Sequence, residues 1–489
     1  MTSKLTFALI FFASSFLTSL TSYSQTQLSG ANSTPDYSLQ ECINYALEHN
    51  ISLRQSELAI ENSLVQLNQA KGNILPTLNG QYSLNSNFGR NVDPFSNNIV
   101  TQAIGTNSLG VGASMLLYNG YRLKNTVERS NLDLEAAKMD LQAQRNNISL
   151  QVAVAYLNVL SAQDMIEVSQ KNLEVTRLQL SRTSKLVEAG SLPETNMFNL
   201  NAQLANDELN LVNTQNQYQG ALLTLKQAMN LTDPRPFSVS RIDVPDPGVQ
   251  PYPENAETVY EAAMNYLPEI KASEIREQMA EKNIQIANSV GIPSVRANLN
   301  WGSAYSSAAK NLVQDGFNTT TVTATTVFEG QTVPFTVDFQ EPAFNRENIP
   351  YFSQLGNNQN VNAGISIQIP IFNGYNKKYQ VQAAKIQQLQ TELNTENTKL
   401  GIRQSIDQAY INMLNGAKSY SANLVQVDAL EKAFAAAESS YSAGASNFVD
   451  YNLAKTNLDR ALATLIQAKY DYIFRMKILD FYQNKPLQF

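Results

Sequence analysis

Two kinds of hydrophobic spacing alternate along the chain. From Leu39 to Leu75, apolar residues recur every three or four positions, which is typical of a helix with one buried face, and Pro76 ends the pattern. The spacing then changes to two, and polar residues alternate with an apolar set: Leu78, Gly80, Tyr82 and Leu84. The pattern predicts a helix over 39–75 followed by a strand over 77–87.

The next elements are a second strand and two very long helices. Alternation returns over 107–118, and Asn119-Gly120 follows it. About seventy residues without proline then keep the helical spacing, so a helix over 120–189 would be roughly 100 Å long. Spacing sustained over so many turns indicates a coiled coil. Gly190 suits the end of that helix, and a second helix is predicted over 192–231.

The chain is an internal duplication. The run Tyr118-Asn119-Gly120-Tyr121 returns as Phe372-Asn373-Gly374-Tyr375, and Ala189-Gly190 returns as Ala443-Gly444. The second half carries a longer segment between Pro293 and Asn373. The predicted units are a signal segment over 1–24, a first repeat over 25–232, a Pro-rich linker over 233–255, a second repeat over 256–482 and a tail over 483–489. Within the second repeat the pattern predicts helices over 256–291, 374–443 and 447–482 and strands over 294–305 and 360–371.

The N-terminus has the features of a secretory signal. Lys4 precedes an apolar run from Leu5 to Leu20, and small residues follow. We predict cleavage after Ser24. The alternative is an uncleaved anchor helix, although the run is short for crossing a bilayer.

Each alternating stretch is about ten residues long, which is the length of a tilted transmembrane β-strand with an apolar lipid face and a polar lumen face. The alternative is a half-buried antiparallel hairpin on a soluble core. The signal segment favours the membrane interpretation, as do aromatic residues near the predicted strand ends. These are Tyr82, Tyr118, Trp301, Tyr305 and Phe372.

Four strands per chain cannot close a barrel, and an open sheet edge in lipid leaves backbone groups unpaired. A dimer would give eight strands, a barrel filled by its own side chains, whereas a trimer gives twelve and can hold an open channel. The predicted class is therefore an α+β membrane protein. Four β-strands per chain complete a trimeric 12-stranded transmembrane β-barrel, and long antiparallel helical hairpins form an α-barrel below it.

Composition narrows the chemistry. One Cys and one His remove cysteine and histidine metal sites and Ser-His-Asp catalysis as leading ideas, so we expect no catalytic residues, no metal and no cofactor. A net charge of −7 argues against nucleic acid as a partner. Mean hydropathy is −0.27, and no run of about 18 apolar residues follows the N-terminus, which excludes a helical-bundle transporter.

In this order of elements the sequence resembles the TolC family of outer-membrane efflux proteins from about Tyr37 to Leu479. The resemblance is carried by the helix-leading segment Leu39 to Asn50, by the turn glycines, and by the joins between strands and helices. The join residues are Pro76, Gly120, Pro293, Pro370 and Gly374. Only the second copy has proline before its long helix, because Pro370 aligns with Leu116.

The resemblance implies a homotrimer in the outer membrane that extends into the periplasm. It implies an exit duct for multidrug efflux or type I secretion, with no catalysis and no energy source of its own. The expected partners are a periplasmic adaptor (membrane fusion) protein, an inner-membrane transporter of the RND, ABC or MFS class, and outer-membrane lipid. Adaptor docking is expected at the helix-tip turns, namely Gly190, Ser191, Gly444 and Ala445.

The resemblance also implies a constriction near these tips. Tyr441 and Asp450 match the family's gating and acidic-ring positions, whereas the first copy has Asn196 where the second has Asp450. Leu453 stands where some relatives carry a further acid, so Glu194 is the alternative acidic candidate, and one ring or two remain open. The competing interpretation is that all four are ordinary solvated turn residues.

Two other function classes compete with an export duct. A periplasmic coiled-coil adaptor without a pore also has helical hairpins, but it needs an anchor and lacks duplicated ten-residue strands. A general porin needs many more strands per chain. The segment 306–358, rich in Thr, Asn and Phe, lies where an extracellular loop is expected. It could cap the pore, pack on the barrel or bind something outside.

Overall fold

A four-stranded sheet, three two-stranded sheets and a set of short and long helices make up the described part of the chain. The computed structural model describes residues 36–92, 97–101, 103–233, 237–242, 246–247 and 252–485. The predicted signal segment and its cleavage after Ser24 lie outside these residues.

The first repeat runs from helix to strands to long helical hairpin. Its helices are α1 (Leu39–His49), α2 (Ile51–Gly72), α3 (Arg122–Glu188) and α4 (Glu194–Ala228). Its strands are β1 (Asp36–Tyr37), β2 (Thr77–Asn87), β3 (Arg90–Val92), β4 (Ile99–Thr101) and β5 (Ile104–Tyr118), and β6 (Ser238–Val239) follows α4 and pairs in parallel with β1.

The second repeat has the same order with an added hairpin. Its helices are α5 (Ala256–Tyr266), α6 (Pro268–Asn288), α7 (Tyr351–Asn357), α8 (Asn376–Ser442) and α9 (Phe448–Tyr482). Its strands are β7 (Ser294–Ser306), β8 (Lys310–Phe328), β9 (Gln331–Asn348) and β10 (Asn360–Gln368). Helices α3 and α8 have 67 residues each.

The single helix predicted over 39–75 is wrong, because the structure has two helices there. Asn50 takes an extended conformation, and its side chain accepts hydrogen bonds from the backbone N–H of Ser52 at 2.9 Å and of Leu53 at 3.3 Å. These bonds satisfy two N–H groups that a helix start leaves unpaired, so a new helix begins at Ile51.

The single helix predicted over 256–291 is wrong for a related reason. Pro268 has no backbone N–H and occupies the first position of α6, where none is needed. The residue before it, Leu267, is extended, so α5 ends at Tyr266. After Asn288 the chain continues as a short 3-10 turn, Ser289–Gly291.

Other boundaries differ by a few residues. The long helices begin at Arg122 and Asn376 rather than at 120 and 374, because the Gly-Tyr pairs before them adopt left-handed conformations. Strand β10 ends at Gln368 rather than at 371, ahead of Pro370, which cannot donate to a ladder. The sequence did not predict β8 and β9, which form one long antiparallel hairpin inside the segment 306–358.

The main sheet has the order β10-β7-β5-β2, and all its pairs are antiparallel. Residues directly opposite one another share a face. One face carries rows such as Val111–Trp301–Val361 and Leu78–Ala113–Leu299–Ala363, and the other carries rows such as Asn79–Gly112–Asn300–Asn362. The sheet therefore has one apolar and one polar face, with β2 and β10 at its edges.

The helices form a row that extends this sheet. Near the sheet the neighbours are α2–α3–α6–α8, and at the far end they are α4–α3–α9–α8. Two apolar cores lie in the middle of the row. One packs α1 against α3, α4 and β6, and the other packs α5 and α6 against α8 and α9. The lone cysteine, Cys42, is buried in the first core.

Candidate channel site: helix tips, hairpin contacts and sheet

The two tips end their long helices in the same way. Gly190 has φ +71°, its N–H donates to Val187 O at 2.9 Å, and Ser191 N–H donates to Leu186 O at 2.8 Å. Gly444 has φ +74°, and Ala445 N–H donates to Ser440 O at 2.9 Å. This pair of bonds around a left-handed glycine is the Schellman motif, which satisfies the last helical carbonyls.

The acidic candidates lie directly after these turns. Asp450 is exposed in the first turn of α9, where its N–H donates to the Asn447 side chain at 3.0 Å. Glu194 is exposed as the first residue of α4, and Asn196 is half-buried nearby. A negative charge in a helix's first turn is favoured by the helix dipole, which accounts for both acids locally. Their exposure also leaves them free to line an opening.

Tyr441 is packed rather than presented to solvent. Its side chain is 9% exposed, and its ring stacks on Tyr451 of α9 with centroids 5.1 Å apart. Phe434 and Phe448 extend the cluster. Burial raises the pKa of the Tyr441 hydroxyl, which lies by the side chain of Thr183 in α3 and has no hydrogen bond of ordinary geometry.

The two helical hairpins, α3–α4 and α8–α9, meet at this end of the molecule. At the tips, an Arg182 guanidinium N–H donates to Ser442 Oγ at 3.0 Å across an exposed contact between α3 and α8. An exposed neutral acceptor gives such a bond little net free energy.

Farther from the tips, a buried ionic cluster joins the hairpins. Lys455 of α9 donates to Asp207 of α4 at 3.1 Å and to Asp459 of α9 at 2.8 Å. The side chains of Lys455 and Asp207 are only 2% and 4% exposed. Thr176 of α3 donates to Asp207 at 2.6 Å, and Gln203 donates to its other oxygen at 2.8 Å. Three helices are therefore tied to one carboxylate.

The cluster holds two carboxyl groups and one ammonium, and the Asp459 side chain, which is 23% exposed, is the most exposed of these three. Burial raises the pKa of Asp459, the nearby Lys455 ammonium lowers it, and the charge of Asp207 raises it further. Sequence reasoning missed this cluster. The available signal was charge at an inward helical position, since Leu200, Asp207 and Thr214 share one buried face of α4 at seven-residue spacing.

The strand-to-helix joins are the most constrained backbone in the sheet region. Gly120 and Tyr121 have φ +66° and +63°, and Gly374 and Tyr375 both have φ +62°. A Cβ on Gly120 would lie 2.8 Å from Ile292, so no side chain fits there. Pro76 and Pro293 stand immediately before β2 and β7. At both joins, the left-handed Gly-Tyr pair turns the chain from the strand direction into the long helix.

The polar face of the sheet carries one charge near the joins. Arg296 of β7 donates to Ser114 Oγ of β5 at 3.2 Å and lies directly opposite Ser366 of β10. The apolar face carries Ile365 opposite Ala297. This is the grouping of residues that the sequence predicted for the two faces.

Within the described ranges, no group of three or more His, Cys, Asp or Glu is placed to hold a metal ion. None of the described helices is both long and apolar enough to cross a membrane.

Comparison with known proteins places this geometry in a family. The protein-family model described as "Outer membrane efflux protein" matches residues 42–231 and 259–475. The outer membrane protein TolC of Escherichia coli K12 is 23% identical over 427 residues, which is 87% of this chain and 77% of that protein.

Two solved channels share the fold. A structure of CusC superposes with a TM-score of 0.72 at 18% identity and covers 93% of each chain. The outer membrane protein VceC of Vibrio cholerae superposes with a TM-score of 0.69 at 16% identity, covering 91% of this chain and 94% of that one. The predicted resemblance and protomer fold are confirmed. The family match also decides against the periplasmic adaptor. The chain belongs to the outer membrane efflux protein family and is an exit channel of the outer membrane.

Proposed function

We propose that three copies of the chain close into one duct, and that the unpartnered edges of the protomer carry this proposal. The sheet has β2 and β10 at its edges, and the helix row has α8 at one edge and α2 or α4 at the other. Strand directions alternate across the sheet, so β10 of one copy can pair antiparallel with β2 of the next. Twelve strands then close without an edge in lipid.

The helix edges carry apolar side chains that no described residue covers. Along α8 they recur at heptad-like spacing: Tyr379, Ile386, Leu389, Leu393, Leu400, Ile411 and Val425. The opposite edge carries a matching set: Ile51, Leu58 and Val65 on α2, and Phe198, Leu209, Val212 and Leu223 on α4. Such stripes on soluble helices indicate packing against another helix.

A charge in the stripe tests closure. We expect Leu389→Asp to prevent the trimer, whereas the exposed neighbour Gln390→Asp on another face of α8 leaves it intact. Native mass spectrometry of the detergent-solubilised outer-membrane fraction reads the mass directly. A trimer in Leu389→Asp, or a monomer in the unmodified protein, contradicts the proposed closure.

The duct has no energy source of its own and performs no catalysis. It passes small molecules or secreted polypeptides that an inner-membrane RND, ABC or MFS transporter delivers through a periplasmic adaptor. The tip turns Gly190, Ser191, Gly444 and Ala445 serve as the adaptor contact, and outer-membrane lipid covers the apolar sheet face. The chain reaches the membrane after cleavage near Ser24, which N-terminal sequencing of the mature protein tests.

The transport role is tested in cells. Deletion of the gene should sensitise the strain to exported compounds or abolish secretion of a polypeptide, and the unmodified gene should restore the phenotype. The Leu389→Asp variant should fail to restore it, and Gln390→Asp should succeed. Restoration by a variant that forms no trimer would contradict the duct.

The resting duct narrows at the tips, where Asp450 lines the opening and Glu194 is the second acidic candidate. Three copies of one exposed acid in a narrow mouth attract cations, because like charges focus the field there. We expect Asp450→Asn to lower cation selectivity in planar bilayers. Asp428→Asn, an exposed acid on α8 away from the tips, is the control. If cation selectivity is unchanged in Asp450→Asn, Glu194 rather than Asp450 forms the acidic ring.

A further inference from the structure

The hairpin of β8 and β9 is firmly attached at its base. The side chain of Gln354 in α7 is 3% exposed; it donates to Ser306 O at 3.1 Å and to Ile349 O at 3.0 Å, and it accepts from Ser306 N–H at 2.9 Å. These bonds join the end of β7 to the end of β9. The hairpin root is therefore fixed relative to the sheet.

Beyond its root the hairpin has two different faces. Cross-strand pairs such as Val322–Val337 and Ala324–Phe335 place apolar side chains on one face. That face contains Val322, Ala324, Val333, Phe335, Val337 and Phe339. Pairs such as Thr323–Thr336 build the other face, where Thr321 donates to Asp338 at 2.6 Å.

In the part of the chain that the structure describes, no other segment covers the apolar face. Phe335 is 45% exposed and Phe339 is 53% exposed. The segments 317–328 and 330–337 contain no charged residue. An isolated two-stranded hairpin is marginal in water, so a face of this kind needs a partner to hold its shape.

Position along the hairpin argues against lipid as that partner. At about 3.3 Å per residue, Thr320 lies roughly 30 Å beyond Lys310 at the root. The intervening stretch carries charged residues: Lys310, Asp315, Glu341, Arg346 and Glu347. The apolar face of the hairpin is therefore separated from the apolar face of the sheet.

Edge pairing between hairpins is also restricted. Strand β9 contains Pro334 and Pro342, which cannot donate a backbone hydrogen bond to an added strand. Strand β8 contains no proline, so this restriction applies to the β9 edge, and a partner that covers the apolar side chains approaches their face.

We propose that the apolar faces of three hairpins pack together around the threefold axis and form a three-sided collar beyond the outer mouth of the duct. The occupant of each face is thus a second copy of this chain. The inference rests on the proposed trimer, whose symmetry places three fixed hairpin roots around one axis. The threonine faces point outward to the medium, and the collar narrows the exit.

Cysteine cross-linking tests the collar in the full-length trimer. Cys42 is buried and its pKa is raised to about 12, and replacing it as Cys42→Ser gives a cysteine-free background. On that background we expect Phe335→Cys and Val337→Cys to give covalent dimers on oxidation. Because three cysteines around an axis can form only one disulfide, about two thirds of the chains can be linked. Thr336→Cys, on the same strand and the opposite face, should stay monomeric on denaturing gels.

The other results overturn the proposal. If Thr336→Cys cross-links and Phe335→Cys does not, the threonine face rather than the apolar face lies toward the axis. Free labelling of Phe335→Cys by a membrane-impermeant maleimide in an intact trimer shows an open surface, and quenching of a fluorophore there by brominated lipid shows a membrane contact. A monomer in native mass measurement overturns the trimer and the collar together, whereas an intact trimer without the cross-link overturns only the collar.

Discussion

Removing the ammonium of Lys455 should destabilise the protein far more than removing an exposed one. In Lys455→Met the methionine fills a similar volume, but Asp207 and Asp459 are left facing each other with no cation between them. Breaking a buried ion pair by deleting one partner costs about 3–5 kcal/mol. The exposed pair Lys432–Asp428, with side chains 75% and 65% exposed, provides the control. Lys432→Met should cost about 0–1 kcal/mol.

The loss of stability in Lys455→Met should also depend on pH, and its direction follows from the pKa of Asp459. Burial raises the pKa of Asp459, so between its ordinary and raised values the folded chain holds a proton that the unfolded chain lacks. That contribution favours the folded state at low pH and is lost as pH rises through the raised value. Without Lys455 the like-charge repulsion is relieved by the same protonation. The loss in Lys455→Met should therefore shrink as pH falls toward the raised pKa of Asp459.

Chemical denaturation followed by circular dichroism at each pH measures these differences. The double variant with Asp207→Leu should recover much of the loss, because it removes the second buried charge, and a double-mutant cycle isolates the coupling. Equal losses in Lys455→Met and Lys432→Met, or a loss that grows on acidification, would refute the reasoning.

Three further expectations concern the sheet, a join and the tips. Ile365→Arg should block membrane assembly at a cost of about 2–4 kcal/mol near the bilayer midplane, whereas Asn362→Arg on the polar face assembles, as heat-modifiable migration on gels shows. Tyr375→Gly should have a higher denaturation midpoint than Tyr375→Ala, because both variants lose the ring and only glycine relieves left-handed strain of about 1 kcal/mol. Arg182→Ala should raise resting conductance in planar bilayers only slightly and with little loss of stability, because its bond is exposed and contributes little net free energy.

Asn362 is a better control position than Ser366 for an arginine on the polar face. Ser366 is the neighbour of Ile365 in sequence, but the structure places it directly opposite Arg296. An arginine there would add like-charge repulsion across the strands to any effect of its face. Asn362 lies opposite Asn300 and avoids that complication.

The parts of the fold that follow from periodic pattern were predictable from the sequence. Period-two alternation located the four sheet strands, and the period near 3.6 located the long helices with their glycine turns. Helix breaks at Asn50 and Pro268 were missed, since the apolar spacing continues through both and only cap chemistry marks them. The β8–β9 hairpin was missed because its threonine-rich strands carry a weak apolar alternation that covers only part of their length.

The residues of the candidate site also divide into those that local sequence determines and those that tertiary contacts determine. Turn glycines and exposed acids depend on local sequence, so their placement at the tips could be predicted. The Lys455 cluster depends on α4 and α9 meeting in space, and 248 residues separate Asp207 from Lys455. No local pattern reveals such a contact. The packing of Tyr441 also comes from tertiary structure, which places its ring against the aromatic residues Phe448 and Tyr451 of α9.

The two repeats are alike in fold but not in how their hairpins are held. Where the second copy has Lys455 and Asp459, the corresponding positions of the first are Asn201 and Ala205, so the described residues hold this buried link in one copy of the repeat. It lies seven residues into α9, roughly 10 Å above the tip, and it is shielded from water. The Arg182–Ser442 bond at the tip is exposed and weaker. Separation of the hairpins should therefore begin at the tip, because a solvated bond exchanges readily with water, whereas parting the charges of the cluster leaves them unpaired until water reaches them. We therefore expect the cluster to be the fixed end when the tips separate.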